Sequence, residues 1–148
     1  MLFRSEKQPQ FPFAPKDFAR CLNATCPRSQ NCLRRTAALQ DTDEHLFLKV
    51  VNPLRYPKEG EECELFRSTD KVRMAWGVTH LLDNVPYKEG SLLRNMIINH
   101  LGRSQYYRCF RKERPFSPQD QQTIRLLFRQ RGISEEPSFD YYTNEFNW

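Results

Sequence analysis

The chain has 148 residues, a formal net charge of +5 and an aromatic content of 13%. This length favours one domain with a buried core, and the aromatic content argues against an intrinsically disordered chain. The sequence has no run of about 18 apolar residues, the length of a membrane-spanning helix, and no apolar segment of a secretory signal near its N-terminus. It therefore predicts a cytoplasmic protein with no part in the membrane.

Positive charge is concentrated in two blocks of the chain. Residues 1–40 carry seven basic and two acidic side chains, and residues 91–132 carry nine basic and two acidic ones. Clustered basic side chains near helices are typical of proteins that bind polyanions. A solvated helix surface without any partner has the same composition, so the charge alone leaves both interpretations open.

The N-terminal part is predicted to contain one helix and a hairpin. Residues 1–16 alternate prolines with phenylalanines and indicate an extended arm. A helix is predicted over 29–39, because Pro27 suits the start of a helix and apolar residues follow at helical spacing. The alternating apolar residues of 46–50 and the segment 62–66 predict two short strands joined by a proline-rich loop.

The following part is predicted to be helical. Capping residues at 68–70 and apolar residues at helical spacing over 72–82 predict a helix that ends before Pro86. A second helix is predicted from about Ser91 to Gly102.

Two more helices and an aromatic tail complete the chain. The first is predicted from Ser104, with Tyr107 and Phe110 facing inward. The second is predicted over 117–132, because a serine and a proline at its start and a glycine at its end are strong boundary signals. The aromatic tail, 139–148, is expected to dock onto the domain.

These elements define an α+β fold. The sequence predicts a mainly helical single domain over 1–148, with a small β-hairpin and a helix-turn-helix-like C-terminal helical region. Residues 1–67 would hold the cysteine-bearing arm, helix and hairpin, and residues 68–148 the helical region with its aromatic tail.

Four of the five cysteines form a candidate metal site. The first three are spaced C-x4-C-x5-C, and the fourth follows about thirty residues later. Thiolates suit zinc or an iron–sulfur cluster, and structural sites usually have four protein ligands. The sequence predicts a structural zinc site, with an iron–sulfur cluster less favoured and buried free thiols as the alternative. The predicted ligands are Cys21, Cys26, Cys32 and Cys63.

The region 92–132 has the outline of a helix-turn-helix. It resembles the repressor-like motif of phage and bacterial regulators, in which a Leu-Gly turn, here Leu101-Gly102, precedes the recognition helix. The spacing from Gly102 to the next buried position, Tyr107, is one residue shorter than usual. The resemblance implies that the second helix contacts DNA, with Tyr106 and Cys109 facing outward. The predicted contact residues are Arg103, Gln105, Tyr106, Arg108, Arg111, Lys112 and Arg114.

No enzyme constellation is evident in the sequence, which has neither a Gly-rich phosphate loop nor a nucleophile beside an obvious base. The leading interpretation is a non-enzymatic nucleic-acid-binding or regulatory protein. DNA is the favoured partner, and RNA or single-stranded nucleic acid is less favoured. The alternative is a protein-interaction adaptor with free cysteines, whose basic helical face meets an acidic protein partner.

Several motifs together resemble a known family. They are the cysteine segments 18–34 and 63–66, the stretch 71–77 and the aromatic ending 139–148. The chain resembles a family of small uncharacterised bacterial proteins of the Bacteroides type, a domain of unknown function with an N-terminal three-cysteine motif. The resemblance covers nearly the whole chain and implies a single domain in the cytoplasm, without an assigned activity.

Overall fold

The computed structural model of the protein describes residues 13–41 and 45–148. Within these residues the fold is α+β and mainly helical, as the sequence predicts, with four α-helices and one two-stranded antiparallel sheet. The described residues form two compact units. The first comprises 13–41, 45–70 and Trp148, and the second comprises 71–147. Most of the predicted N-terminal arm, 1–16, lies outside the described residues.

The first unit contains little regular structure. Its only α-helix among the described residues is α1 (Leu33–Gln40), and two short 3-10 turns lie at Ser29–Asn31 and Pro53–Arg55. Backbone hydrogen bonds tie separate segments together: the Cys21 N–H donates to the Arg34 carbonyl at 2.9 Å, and the Leu33 N–H donates to the Arg67 carbonyl at 2.7 Å. The small apolar core consists of Phe18, Cys32, Leu33, Ala37 and Val51.

The predicted hairpin of the first unit is wrong. Leu46 and Phe47 are 92% and 87% exposed, and among the described residues the only strand-like pairing near them is an isolated bridge between Arg20 and Val50. The segment 62–66 forms a turn, in which the Phe66 N–H donates to the Cys63 carbonyl at 3.2 Å. Alternation predicts a strand only where one face is covered, and no sheet among the described residues covers this one.

The second unit packs three helices against a sheet. Its elements in chain order are β1 (Lys71–Trp76), α2 (Tyr87–Leu101), α3 (Arg103–Phe110), α4 (Pro118–Gln130) and β2 (Tyr141–Phe146). The strands pair antiparallel, from Lys71 opposite Phe146 to Trp76 opposite Tyr141. The buried core is drawn from all three helices, from β1 and from three connecting segments: Ala75, Leu81, Leu93, Ile97, Tyr106, Cys109, Phe116, Ile124, Phe128 and Phe139.

The predicted helix over 72–82 is wrong, because this segment contains β1. Met74 and Ala75 are both buried, and the Ala75 N–H and carbonyl pair with Phe116 at 3.1 and 2.7 Å. The capping signal at 68–70 has a local role, in which the Ser68 hydroxyl accepts from the Asp70 N–H at 3.0 Å. Pro86, predicted to follow a helix, instead precedes α2.

The predicted start and end of α4 are confirmed. The Ser117 hydroxyl accepts from the Asp120 N–H at 3.1 Å, and the Asp120 carboxylate accepts from the Ser117 N–H at 3.1 Å. This reciprocal capping box satisfies two N–H groups that a helix start otherwise leaves unpaired. Ile124 and Phe128 are buried, and Gly132 follows the helix with φ of +73°.

The aromatic tail packs on the body of the protein, as expected. Phe139 lies in the core of the second unit, with its ring centroid 5.1 Å from that of Phe116. The following residues form β2. At the end of the chain, the Trp148 ring meets the Phe18 ring edge-on at 5.3 Å within the first unit.

Candidate nucleic-acid interface and cysteine cavity

Gly102 sets the position and rotation of α3. Its φ of +85° ends α2, where its N–H donates to the Ile98 carbonyl at 2.8 Å. Only glycine adopts such an angle without strain, and here it allows α3 to begin at the very next residue. The Gly102 carbonyl accepts the first hydrogen bond of α3, from the Tyr106 N–H at 2.9 Å.

The predicted rotation of α3 is wrong by one residue. Tyr106 and Cys109 are 6% and 0% exposed, whereas Tyr107 and Phe110 are 39% and 55% exposed. Both pairs have helical spacing, so periodicity alone does not distinguish them. The small Cys109 thiol fits beneath the chain at Pro115, where its Sγ lies 3.8 Å from the carbonyl oxygen. Tyr106 therefore belongs to the core and is removed from the candidate contact surface.

Burial also affects the chemistry of these two side chains. It raises the pKa of the Tyr106 hydroxyl, an effect that the nearby Arg94 guanidinium opposes. It likewise raises the pKa of the Cys109 thiol. Both groups are therefore neutral at physiological pH and act as packing residues.

The exposed side of α3 combines aromatic rings with arginines. The Tyr107 and Phe110 rings meet edge-on with centroids 6.4 Å apart, and the Arg103 guanidinium lies 5.9 Å from the Tyr107 centroid. At 3.6 residues per turn these positions share one side of the helix. We call this surface the α3 face, and it consists of Arg103, Tyr107, Arg108, Phe110 and Arg111.

The arginines of the α3 face differ in their partners. Within the described residues, no carboxylate lies at ion-pair distance from Arg103 or Arg108, and the Arg108 guanidinium reaches the Gln105 side chain only at 3.5 Å. Arg111 donates two hydrogen bonds to the Glu113 carboxylate, at 2.7 and 3.2 Å. These bonds lower the pKa of Glu113 and raise that of Arg111. The pair is exposed to solvent and therefore easily screened.

Two of the predicted contact residues are held by carboxylates of the second unit. The Lys112 Nζ lies 3.3 Å from the Asp140 carboxylate, and the Arg114 guanidinium lies 3.5 Å from that of Asp120. The structure thus groups three of the seven predicted residues on one exposed face, together with two aromatic rings that were predicted to be buried. The apolar spacing contains no signal that could have given the correct rotation.

The four cysteines predicted to bind metal line one cavity of about 30 Å³ within the first unit. Cys32 is buried and forms the N-cap of α1, while the other three are partly exposed. Backbone hydrogen bonds at Cys21 and next to Cys32 join the segments that carry them, and a turn from Cys26 to Ser29 shapes the intervening loop. Cys109, predicted to be uninvolved, lies in the core of the second unit.

Arginines line the same cavity. The Arg34 guanidinium donates to the Leu65 and Ala19 carbonyls at 2.8 and 3.1 Å, which fixes its position. Burial and the neighbouring Arg67 lower the pKa of Arg34, while three cysteines act in the opposite direction: Cys32, Cys63 and Cys21.

All five cysteines are free thiols. Across residues 13–41 and 45–148, no three His, Cys, Asp or Glu side chains are arranged to hold a metal ion. In this structure Cys21, Cys26, Cys32 and Cys63 line the cavity, but their sulfur atoms are not positioned to bind one metal ion together.

These features define a small α+β protein with a basic aromatic helix face and a thiol-lined cavity. The chain belongs to a family of unknown function (DUF6078), whose model matches residues 4–148. The expected membership of a family of unknown function, over nearly the whole chain, is thereby confirmed. No curated protein and no solved structure matches the chain. Among the described helices, none has both the length and the apolar character needed to cross a membrane.

Proposed function

We propose that this is a non-enzymatic nucleic-acid-binding protein of the bacterial cytoplasm, which contacts single-stranded DNA or RNA through its α3 face. The observation that carries the proposal is the pair of exposed rings, Tyr107 and Phe110, set among arginines on one helix. The bacterial setting rests on the resemblance in the cysteine motifs. The cytoplasmic setting is supported by the five unpaired thiols, which persist in a reducing compartment.

The exposed rings suit unpaired bases. Stacking of a base on an aromatic side chain contributes about 1–3 kcal/mol and tolerates any base, because every base has a π-face. Bases inside a duplex are stacked on each other and are not accessible to Tyr107 or Phe110. This argument favours single strands over the duplex DNA that the helix-turn-helix outline suggests.

The arginines suit phosphates. Among the described residues no carboxylate forms an ion pair with Arg103 or Arg108, and the Arg111–Glu113 pair is exposed and easily screened, so a phosphate can replace Glu113. If three phosphates are neutralised on a single strand, the logarithm of affinity should fall with the logarithm of salt concentration with a slope of about −2.

The side chains of α3 give less support to the recognition of base edges in duplex DNA. Direct readout requires polar side chains that reach base edges in the major groove. On α3, Tyr106 is buried, Gln105 is partly buried, and the residues after the helix, Lys112 and Arg114, are held by carboxylates.

Fluorescence anisotropy with a labelled single-stranded oligonucleotide and a duplex of equal length tests the proposal. We expect the single strand to bind more tightly and its affinity to fall with salt. Tyr107→Ala with Phe110→Ala should weaken binding about 30-fold or more, since two stacking contacts of about 1–3 kcal/mol each are lost. Tyr87→Ala is the matched control, because Tyr87 is 91% exposed but lies at the start of α2. No binding at low salt, or an equal loss with the control, would contradict the proposal.

A protein-interaction adaptor is the second candidate. Tyrosine and arginine are among the residue types that contribute most at protein interfaces, so the α3 face also suits an acidic protein partner. In that case nucleic acid would bind weakly and without preference for single strands. The α3 variants would instead lose a protein complex.

A further inference from the structure

We propose that the cavity lined by Cys21, Cys26, Cys32 and Cys63 binds one zinc ion through four thiolates, and that this ion stabilises the first unit. The inference is independent of the proposed nucleic-acid binding, since the cavity and the α3 face belong to different units.

The first argument is convergence. Three of the cysteines come from one stretch of twelve residues, and the fourth comes from a segment about thirty residues further along the chain. The fold nevertheless brings all four to one cavity and leaves only Cys109 elsewhere. Thiolates in a set of four are the ligands of structural zinc sites.

The second argument is size. The cavity volume is about 30 Å³. One water-sized probe needs roughly 10–15 Å³, and a pocket for an organic ligand measures about 300–1,000 Å³. The space therefore suits a single ion and is too small for an organic cofactor. It also favours a mononuclear zinc over an iron–sulfur cluster, which contains several iron and sulfide atoms.

The third argument is the construction of the first unit. Its regular structure among the described residues amounts to one helix of eight residues and two 3-10 turns, and its buried apolar core has five side chains. Below about 70–80 residues a core rarely supplies more than about 3–5 kcal/mol, and natural proteins of this size often add disulfides or a structural metal. Because all four thiols at the cavity are free, a disulfide does not supply that stability here. The free energy of binding a structural metal contributes directly to folding.

The fourth argument is charge. A zinc ion with four thiolates carries a net charge of about −2. Three arginines line the same cavity and offset this charge: Arg34, Arg35 and Arg55.

Completing the ligand set requires rotation of side chains. Turning a cysteine from one staggered rotamer to the next moves its Sγ by roughly 3 Å. The proposal requires such rotations to bring the four sulfurs to about 2.3 Å from one ion. The backbone segments are already joined by the hydrogen bonds at Cys21 and Leu33 and can stay in place.

The experiment measures metal in the full-length protein. Elemental analysis of the purified chain should find about one zinc per chain. Co²⁺ added after chelation should bind with the same stoichiometry and give the sulfur-to-cobalt charge-transfer band of thiolate ligands. Replacing any of the four cavity cysteines with serine should weaken Co²⁺ binding by about 100-fold or more, because even the loss of a hydrogen-bond partner of a ligand costs about 10–100-fold. Cys109→Ala is the matched control and should bind as the wild type does.

Three results would overturn the inference: substoichiometric zinc together with Co²⁺ spectra that lack the charge-transfer band, an intact mass showing that cavity cysteines are paired as disulfides, or an equal loss of metal in Cys109→Ala. The wild-type Co²⁺ spectrum does not depend on a variant and keeps the test decisive if a serine variant fails to fold. Zinc in a protein that binds no nucleic acid would support this inference and reject only the proposed function.

Discussion

Replacing Gly77 with alanine should destabilise the second unit through a defined contact. Gly77 follows β1 with φ of +76°, and a Cβ built on it would overlap Oδ2 of Asp140 and lie 2.8 Å from Cε of Lys112. The Asp140 carboxylate is itself fixed, because it accepts hydrogen bonds from the Thr79 hydroxyl at 2.7 Å and the Thr79 N–H at 3.1 Å. It therefore cannot move aside without losing those bonds.

Two free-energy costs together make up the expected loss of stability. An alanine held in a left-handed conformation costs about 1–2 kcal/mol. Displacing the Asp140 carboxylate from two hydrogen bonds costs about 1 kcal/mol for each bond. We expect Gly77→Ala to lower the free energy of unfolding by about 3–4 kcal/mol in total.

Gly132→Ala is the matched control, because Gly132 has a similar φ of +73° but no atom within 4 Å of its built Cβ. It should cost only the backbone strain of about 1–2 kcal/mol. In urea denaturation followed by tryptophan fluorescence, the difference of about 2 kcal/mol corresponds to a midpoint shift of about 1 M. Equal losses in the two variants would refute the argument, as would an undiminished loss from Gly77→Ala in a chain that also carries Asp140→Ala.

Three further predictions concern charges and caps. Burial acts to raise the pKa of Asp140, but hydrogen bonds from Thr79 and Lys112 outweigh it and hold that pKa below its ordinary value. The resulting stabilisation is complete above the unfolded value of about 3.9 and is lost as pH falls through the lower folded pKa. Asp140→Asn should therefore destabilise the protein at pH 7 but much less at pH 2, as measured by urea midpoints. Ser117→Ala removes the cap of α4 and should cost about 1 kcal/mol in the same assay, and an unchanged midpoint would contradict the role of the capping box. Asp41→Asn leaves the 2%-exposed Arg20 without its anionic partner and should cost about 3 kcal/mol, and a change of less than about 1 kcal/mol would mean that the carbonyls around Arg20 suffice.

Both boundaries of α4 and the end of α2 could be predicted because their signals are local, whereas α1 begins at Leu33 and α2 at Tyr87, four residues away from the predicted starts. The serine, proline and aspartate at 117–120 cap α4 within one turn, and Gly102 and Gly132 end helices through their own backbone angles. Each of these signals acts within a few residues of the boundary that it sets. The sequence is therefore sufficient to find α4 and the end of α2.

The strand β1 could not be found in this way. Val72, Ala75 and Trp76 satisfy helical spacing, and the residues that make the segment a strand lie in β2, at 141–146. Because the two strands lie far apart in the sequence, their pairing produces no periodic pattern within the segment 72–82. Cys63 likewise meets the other three cavity cysteines only through folding, because it lies about thirty residues beyond Cys32 in the sequence. The cysteine spacing therefore suggested a site but could not predict that all four side chains line one cavity.

The rotation of α3 also depends on contacts that are distant in the sequence, and it bears directly on the proposed function. Local pattern favoured burying Tyr107 and Phe110, and burying a phenylalanine side chain contributes about 1.5–3 kcal/mol. The fold instead buries Cys109, whose small thiol fits beneath Pro115, and leaves Phe110 55% exposed. The two rings of the α3 face therefore contribute less to the core than fully buried rings would, and Tyr107→Ala with Phe110→Ala should lower the urea midpoint less than Gly77→Ala does. Loss of binding with only such a small loss of stability would support a binding role for these rings, whereas a loss of stability as large as that of Gly77→Ala would mean that they belong to the packing of the fold.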